Sequence, residues 1–181
     1  MGGTKMNYIY RGLMTLEACS WMIVVYVAQI GVPVFSIYPA WLFAGIVLML
    51  SIALSALSVV KLPAYLDEET DLTQCIECRQ ADGDFLPVYL AFFFVALSIR
   101  EWKVMLFVFV VVYIFTLISG THLFNPLLLL FGYHYYHVVT KNGTVTFIIT
   151  KQELRNPQQI HLGNLRRINN TTYIEFNKER K

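Results

Sequence analysis

Charge is scarce in this chain of 181 residues: Asp, Glu, Lys and Arg make up 14% and hydrophobic residues 56%. A soluble domain carries about 25% charge and 45–50% apolar residues. A soluble chain this small has too little interior to hide the excess. Cysteine is also scarce, and three cysteines cannot complete a disulfide framework. No nucleotide-binding loop, Gly-x-Ser-x-Gly elbow or His-Glu-x-x-His pair is present. These absences exclude an ordinary cytosolic enzyme, a disordered protein and a disulfide-stapled secreted domain. With mean hydropathy of +0.53, the composition points to a small integral membrane protein.

The charge-free stretches set the architecture. There are 43 uncharged residues between Glu17 and Lys61, 15 between Asp84 and Arg100, and 37 between Lys103 and Lys141. One helical span needs about 20 residues. The pattern predicts an α-helical membrane protein with four transmembrane helices, at about 13–32, 40–60, 85–99 and 104–120. The third is short, and Arg100 at its end can snorkel. The first is expected to be a retained helix, because no small-residue cleavage site follows it. Residues 1–132 form the transmembrane domain, with 61–84 as a hydrophilic loop. Twelve of the fourteen Lys and Arg fall on the side of the N-terminal segment, that loop and the tail. The positive-inside rule makes that side, and both termini, cytoplasmic.

After the fourth span, Asn125-Pro126 breaks the helix, and four leucines and Phe131 form an interfacial half-helix or a buried connector. From Tyr133 the pattern turns to β. Runs 134–140 and 144–150 flank Asn142-Gly143, a strong hairpin signal in which both residues tolerate positive φ. Short strands are expected at 159–162, 165–168 and 172–176. Residues 133–181 thus read as a small antiparallel β cytoplasmic module, too small to fold comfortably alone. The Asn-x-Thr triplets at Asn142, Asn169 and Asn170 read as turns on that side.

Candidate chemistry is sparse. Cys75-Ile-Glu-Cys78 has metal-ligand spacing and shares a side with His134 and His137. Residues three apart in a strand face opposite ways, so the pair is weak and two reduced thiols are the simpler expectation. No cofactor, no metal and no catalytic residue is expected. The 61–84 loop is acidic, through Asp67, Glu68, Glu69, Asp71, Glu77, Asp82 and Asp84, and the tail is basic, through Arg166, Arg167 and its closing residues. Asp67, Glu68, Glu69, Arg166 and Arg167 are the candidate partner-binding residues, against the plainer readings of a solvated loop and lipid anchoring. No nucleic-acid recognition signature is present, and direct binding is not expected. Ser51, Ser55 and Ser58 stripe one face of span two, either packing within the chain or forming a homo-oligomer seam. Glu17 and Gln29 in span one and His122 near the end of span four are the few polar groups at membrane depth. Glu17 reads as lying near the cytoplasmic edge, which weighs against transport.

The layout of four helices, the run Asn125 to Tyr136 and the Asn142-Gly143 hairpin resembles the KwaA family, the membrane subunits of the two-component Kiwa anti-phage system. The resemblance implies a bacterial inner-membrane sensor of phage infection. It would act with a cytosolic DNA-binding effector subunit, KwaB, to restrict phage DNA replication and late gene expression. The expected function is therefore that of a non-enzymatic, oligomeric membrane sensor or scaffold that recruits a soluble effector. A small oligomeric channel or transporter, its pore lined by Ser51, Ser55 and Ser58, is the alternative. A plain membrane adaptor is a third.

Overall fold

The computed structural model describes residues 3–31, 39–66, 69–73, 75–119, 125–157 and 160–176. Asp67, Glu68, the 32–38 connection, His122 and the basic residues 178–181 lie outside the described residues.

Four helices carry the apolar runs: α1 (Gly3–Ile30), α2 (Ala40–Val60), α3 (Leu86–Ser98) and α4 (Trp102–Ser119). Three of them, over Tyr8–Ile30, Ala40–Val60 and Trp102–Ser119, are long and apolar enough to cross a membrane. Helix α3, with 13 residues, is about 20 Å long, short of the roughly 30 Å hydrocarbon core. α1 packs against α2, α3 and α4 in turn and is the most buried of the long helices. α4 is the least buried, exposing Phe107, Phe115 and Ile118. α1 stops where Gly31, at φ +79°, donates its N–H back to Val27; the left-handed closing residue satisfies a carbonyl at the helix end.

The β part is a six-stranded sheet, and only four of its strands come from the tail. In chain order these are β1 (Glu69–Thr73), β2 (Glu77–Gln80), β3 (His134–Val139), β4 (Val145–Thr150), β5 (His161–Arg167) and β6 (Thr172–Glu175). The spatial order is β1-β5-β6-β4-β3-β2. The segment expected to be a loop thus supplies both edges. The sheet is mixed, which corrects the antiparallel expectation: β4 and β6 run parallel, with Ile148 opposite Tyr173 and Ile149 opposite Ile174. The reason lies in the connection. The chain leaves β4 at Thr150 and returns to the sheet as β5, and the β5–β6 hairpin folds back so that β6 slots beside β4. The two strands expected at 159–162 and 165–168 are one, β5, interrupted by a bulge. There Gly163 and Asn164 face the single residue Asp71, whose carboxylate accepts the Asn164 N–H at 3.0 Å. In the β3–β4 hairpin, Gly143 takes φ +76° and donates to the Thr140 carbonyl at 2.9 Å. Among the described non-glycine residues only Asn164 has positive φ, so Gly143 rather than Asn142 bears the left-handed conformation.

Both faces of the sheet are covered at its centre, as the run Phe147-Ile148-Ile149 in β4 requires. Tyr135, Phe147, Ile149 and Ile174 face Tyr10, Met14, Val59, Phe85, Tyr89 and Leu128 in one core. Tyr136, Val138, Ile148, Leu162 and Leu165 face Cys75 and Ile160 in a second core, inside the curl. α5 (Leu127–Leu130) is a single turn that tucks Leu127 and Leu128 under the sheet and leaves Leu130 exposed. It serves as the buried connector. The sheet therefore closes one end of the helical bundle, and segments 61–84 and 125–176 share that end.

Candidate functional site

The junction between bundle and sheet holds a fully buried carboxylate. Glu17 sits on α1 with no exposed surface. The Ser58 hydroxyl, from the last turn of α2, donates to its two oxygens at 2.8 and 3.0 Å. The side-chain amide of Asn125 donates to Oε2 at 2.8 Å and to Ser55 Oγ at 2.7 Å. Asn125 Oδ1 accepts the Leu127 N–H at 3.0 Å, which starts α5. Tyr10, two turns before Glu17 on α1, donates its hydroxyl to the Ser58 carbonyl at 3.0 Å.

Asn125 then passes the network to the sheet. Its backbone N–H donates to Tyr135 Oη at 2.9 Å, and the Tyr135 hydroxyl donates back to the Asn125 carbonyl at 2.9 Å. Tyr135 stands on β3, fully buried, stacked on Phe147 at 5.7 Å and edge-on to Phe85 at 5.8 Å. Burial pushes its phenol well above the ordinary tyrosine range, so it stays a neutral donor. An unbroken chain of hydrogen bonds thus runs from α1 and α2, through the Asn-Pro break, into the sheet.

Among the described residues no cation lies within salt-bridge distance of Glu17. A buried carboxylate without a countercharge is costly, and it persists only where hydrogen bonds compensate it. An ionisable residue in a helix of this kind marks a functional site by default. Its described partners are hydroxyls and an amide. They can hold and orient the carboxylate and can tie three chain segments to one point. A slide of α1 against α2 must break the Ser58 bonds, and a shift of the sheet must break the Asn125 bond.

Of the serine stripe, Ser55 and Ser58 lie fully buried within the chain and meet Asn125 and Glu17. Ser51 bonds only its own helix, at the Val47 carbonyl. The depth of Glu17 escaped the sequence reading because the sheet covers it. Its signals were one acid in an otherwise apolar span, the serines spaced three and four apart on the next helix, and a lone Asn before Pro126.

The described candidate partner residues, Glu69, Arg166 and Arg167, fall elsewhere on the sheet. Glu69 on β1 pairs in register with Arg166 on β5. Arg166 also donates to the Leu66 carbonyl at 3.2 Å. Arg167 holds the β5–β6 turn through the Asn169 carbonyl at 3.1 Å and Asn170 Oδ1 at 3.0 Å. Acidic strand and basic strand are thus neighbours along one edge. At the opposite edge, Asp82 accepts from Gln80 at 2.6 Å and from the Tyr135 N–H at 2.7 Å, and lies 2.7 Å from His134 Nδ1. Cys75 and Cys78 point toward the Pro157 and Leu154 carbonyls. Burial and the neighbouring Cys75 push the Cys78 thiol up to about 11. Among the described residues no three His, Cys, Asp or Glu side chains are grouped to hold a metal.

The model of the family described as anti-phage protein KwaA matches residues 10–174. No curated protein and no solved structure matches the chain.

Proposed function

The chain belongs to the KwaA family of anti-phage proteins, and from that premise we propose that it is a non-enzymatic, oligomeric sensor and scaffold of the bacterial inner membrane. Its four helices span the membrane with both termini in the cytoplasm. Its sheet, on the cytoplasmic side, holds a soluble DNA-binding effector subunit. Asp67, Glu68, Glu69, Arg166 and Arg167 form the contact edge for that subunit.

One observation carries the sensing part of the reading. Bundle and sheet share a core, and the Glu17–Asn125–Tyr135 chain crosses it. A displacement of the helices cannot be absorbed by a slack linker; it reaches the sheet directly. The buried carboxylate makes that coupling discrete, because its bonds are either made or broken.

The test is co-purification of the tagged chain from its native host in mild detergent, beside Arg167→Glu and Asn125→Ala variants. A stoichiometric DNA-binding protein retained by the parent chain and lost from Arg167→Glu supports the scaffold and its contact edge. Protection against phage that falls in Asn125→Ala, with the partner retained and the chain still in the membrane fraction, supports the coupling. Purification of the parent chain with no soluble partner overturns the scaffold reading. Full protection by Asn125→Ala overturns the coupling.

A further inference from the structure

At the end of the bundle away from the sheet, the α3–α4 connection and the last turn of α1 form an open cavity of about 310 Å³ lined by Tyr26, Ile30, Arg100, Glu101, Trp102 and Lys103. Its floor is apolar: Tyr26 is buried and Ile30 is exposed. Tyr26 is fixed by a hydrogen bond from its hydroxyl to the Arg100 carbonyl at 3.2 Å, and Gln29 clamps α1 to α3 at the Leu97 carbonyl at 3.0 Å. The cavity is therefore held between anchored helices. Trp102 stands half-exposed beside it, the depth at which tryptophans mark the membrane–water interface.

Three charges, Arg100, Glu101 and Lys103, line this one cavity. Among the described residues no ion pair joins them to each other or to any other group. Basic residues here also run against the charge asymmetry of the rest of the chain, since the positive-inside reading assigns the other twelve Lys and Arg to the opposite side. Two cations and one carboxylate, spread around an apolar floor at the interface, match a ligand that carries a phosphate, a primary ammonium and hydrocarbon.

We propose that this cavity is a headgroup site for a phosphatidylethanolamine-type lipid in the leaflet opposite the sheet. Arg100 and Lys103 take the phosphate, Glu101 takes the ammonium, and Tyr26, Ile30 and Trp102 cover the glycerol and the first methylenes. The arrangement selects by charge. A phosphatidylglycerol headgroup leaves Glu101 facing no cation. A phosphatidylcholine headgroup offers an ammonium whose methyl groups give Glu101 no hydrogen bond. The site rests on the helices lying in a bilayer, which fractionation with membranes checks separately.

The experiment is native mass spectrometry of the full chain in mild detergent, titrated with palmitoyl-oleoyl phosphatidylethanolamine, -glycerol or -choline, with free phosphoethanolamine as competitor. The expected result is retention of the ethanolamine lipid about tenfold tighter than the other two, the worth of one charge-assisted hydrogen bond. Glu101→Gln should bring the three lipids level, and Arg100→Gln with Lys103→Gln should abolish tight retention. Lys103→Arg should keep it. Equal retention of the three lipids by the parent chain, or an unchanged preference in Glu101→Gln, overturns the proposal. Free phosphoethanolamine competing as well as the whole lipid overturns the lipid as its source.

Discussion

Replacing Asn125 by Ala tests the junction most directly. The substitution removes three side-chain hydrogen bonds: to Glu17 at 2.8 Å, to Ser55 at 2.7 Å and from the Leu127 N–H at 3.0 Å. A bond to a carboxylate contributes about 1.5–3 kcal/mol and a neutral one about 0.5–1.5 kcal/mol. Glu17 keeps Ser58, so the total loss is about 4 kcal/mol. For a chain of this size 1 kcal/mol shifts Tm by about 2–4 °C, so Asn125→Ala is expected to unfold about 8–16 °C below the parent in the same detergent. A double-mutant cycle isolates the central bond. Glu17→Ala and Asn125→Ala together should cost less than the sum of the two by about 1.5–3 kcal/mol. A Tm shift of under about 2 °C, or strict additivity of the pair, would refute the claim that these side chains share a buried bond.

Three further outcomes follow from the geometry. Tyr135→Phe strips the partner from both the N–H and the carbonyl of Asn125; it should cost about 2–4 kcal/mol in the same unfolding assay and speed hydrogen exchange at the Asn125 amide. Alkylation of Cys78 by iodoacetamide should climb with pH up to about 11, because a raised pKa leaves little thiolate near neutrality. A rate that levels off near pH 9 would show an ordinary thiol. Gly143→Ala forces a Cβ into φ +76° and should lower stability by about 1 kcal/mol, read by thermal unfolding, with the β3–β4 pairing intact.

The apolar runs were legible because charge is so rare: the gaps in charge outline α1 to α4 to within a few residues at most ends, although α1 begins well before Leu13. The β3–β4 hairpin was legible from its turn. β1 and β2 were not, since Glu-Thr-Asp-Leu-Thr and Glu-Cys-Arg-Gln carry no apolar alternation. They are edge strands, held by backbone bonds to strands more than 50 residues away. The β4–β6 pairing escaped for a related reason. Alternation tells which face a residue takes and not which strand lies beside it or in which direction. Glu17 stood out as an acid in an apolar span, but its complete burial did not. Its burial depends on a sheet whose position over the bundle no local pattern encodes.

The sheet's strand order constrains how the protein is made. Both edge strands lie between α2 and α3, while the strands that must sit between them, β3 to β6, are all synthesised after α4. β1 and β2 therefore emerge with nothing to pair against and stay open while two more helices are made. No partial sheet can form early, because β1 needs β5 and β2 needs β3. All four long helices must consequently be made before the sheet can close. If α3 and α4 cross a membrane as proposed, an insertion error in either would strand the two halves of the sheet on opposite sides of the bilayer and leave a chain that cannot close.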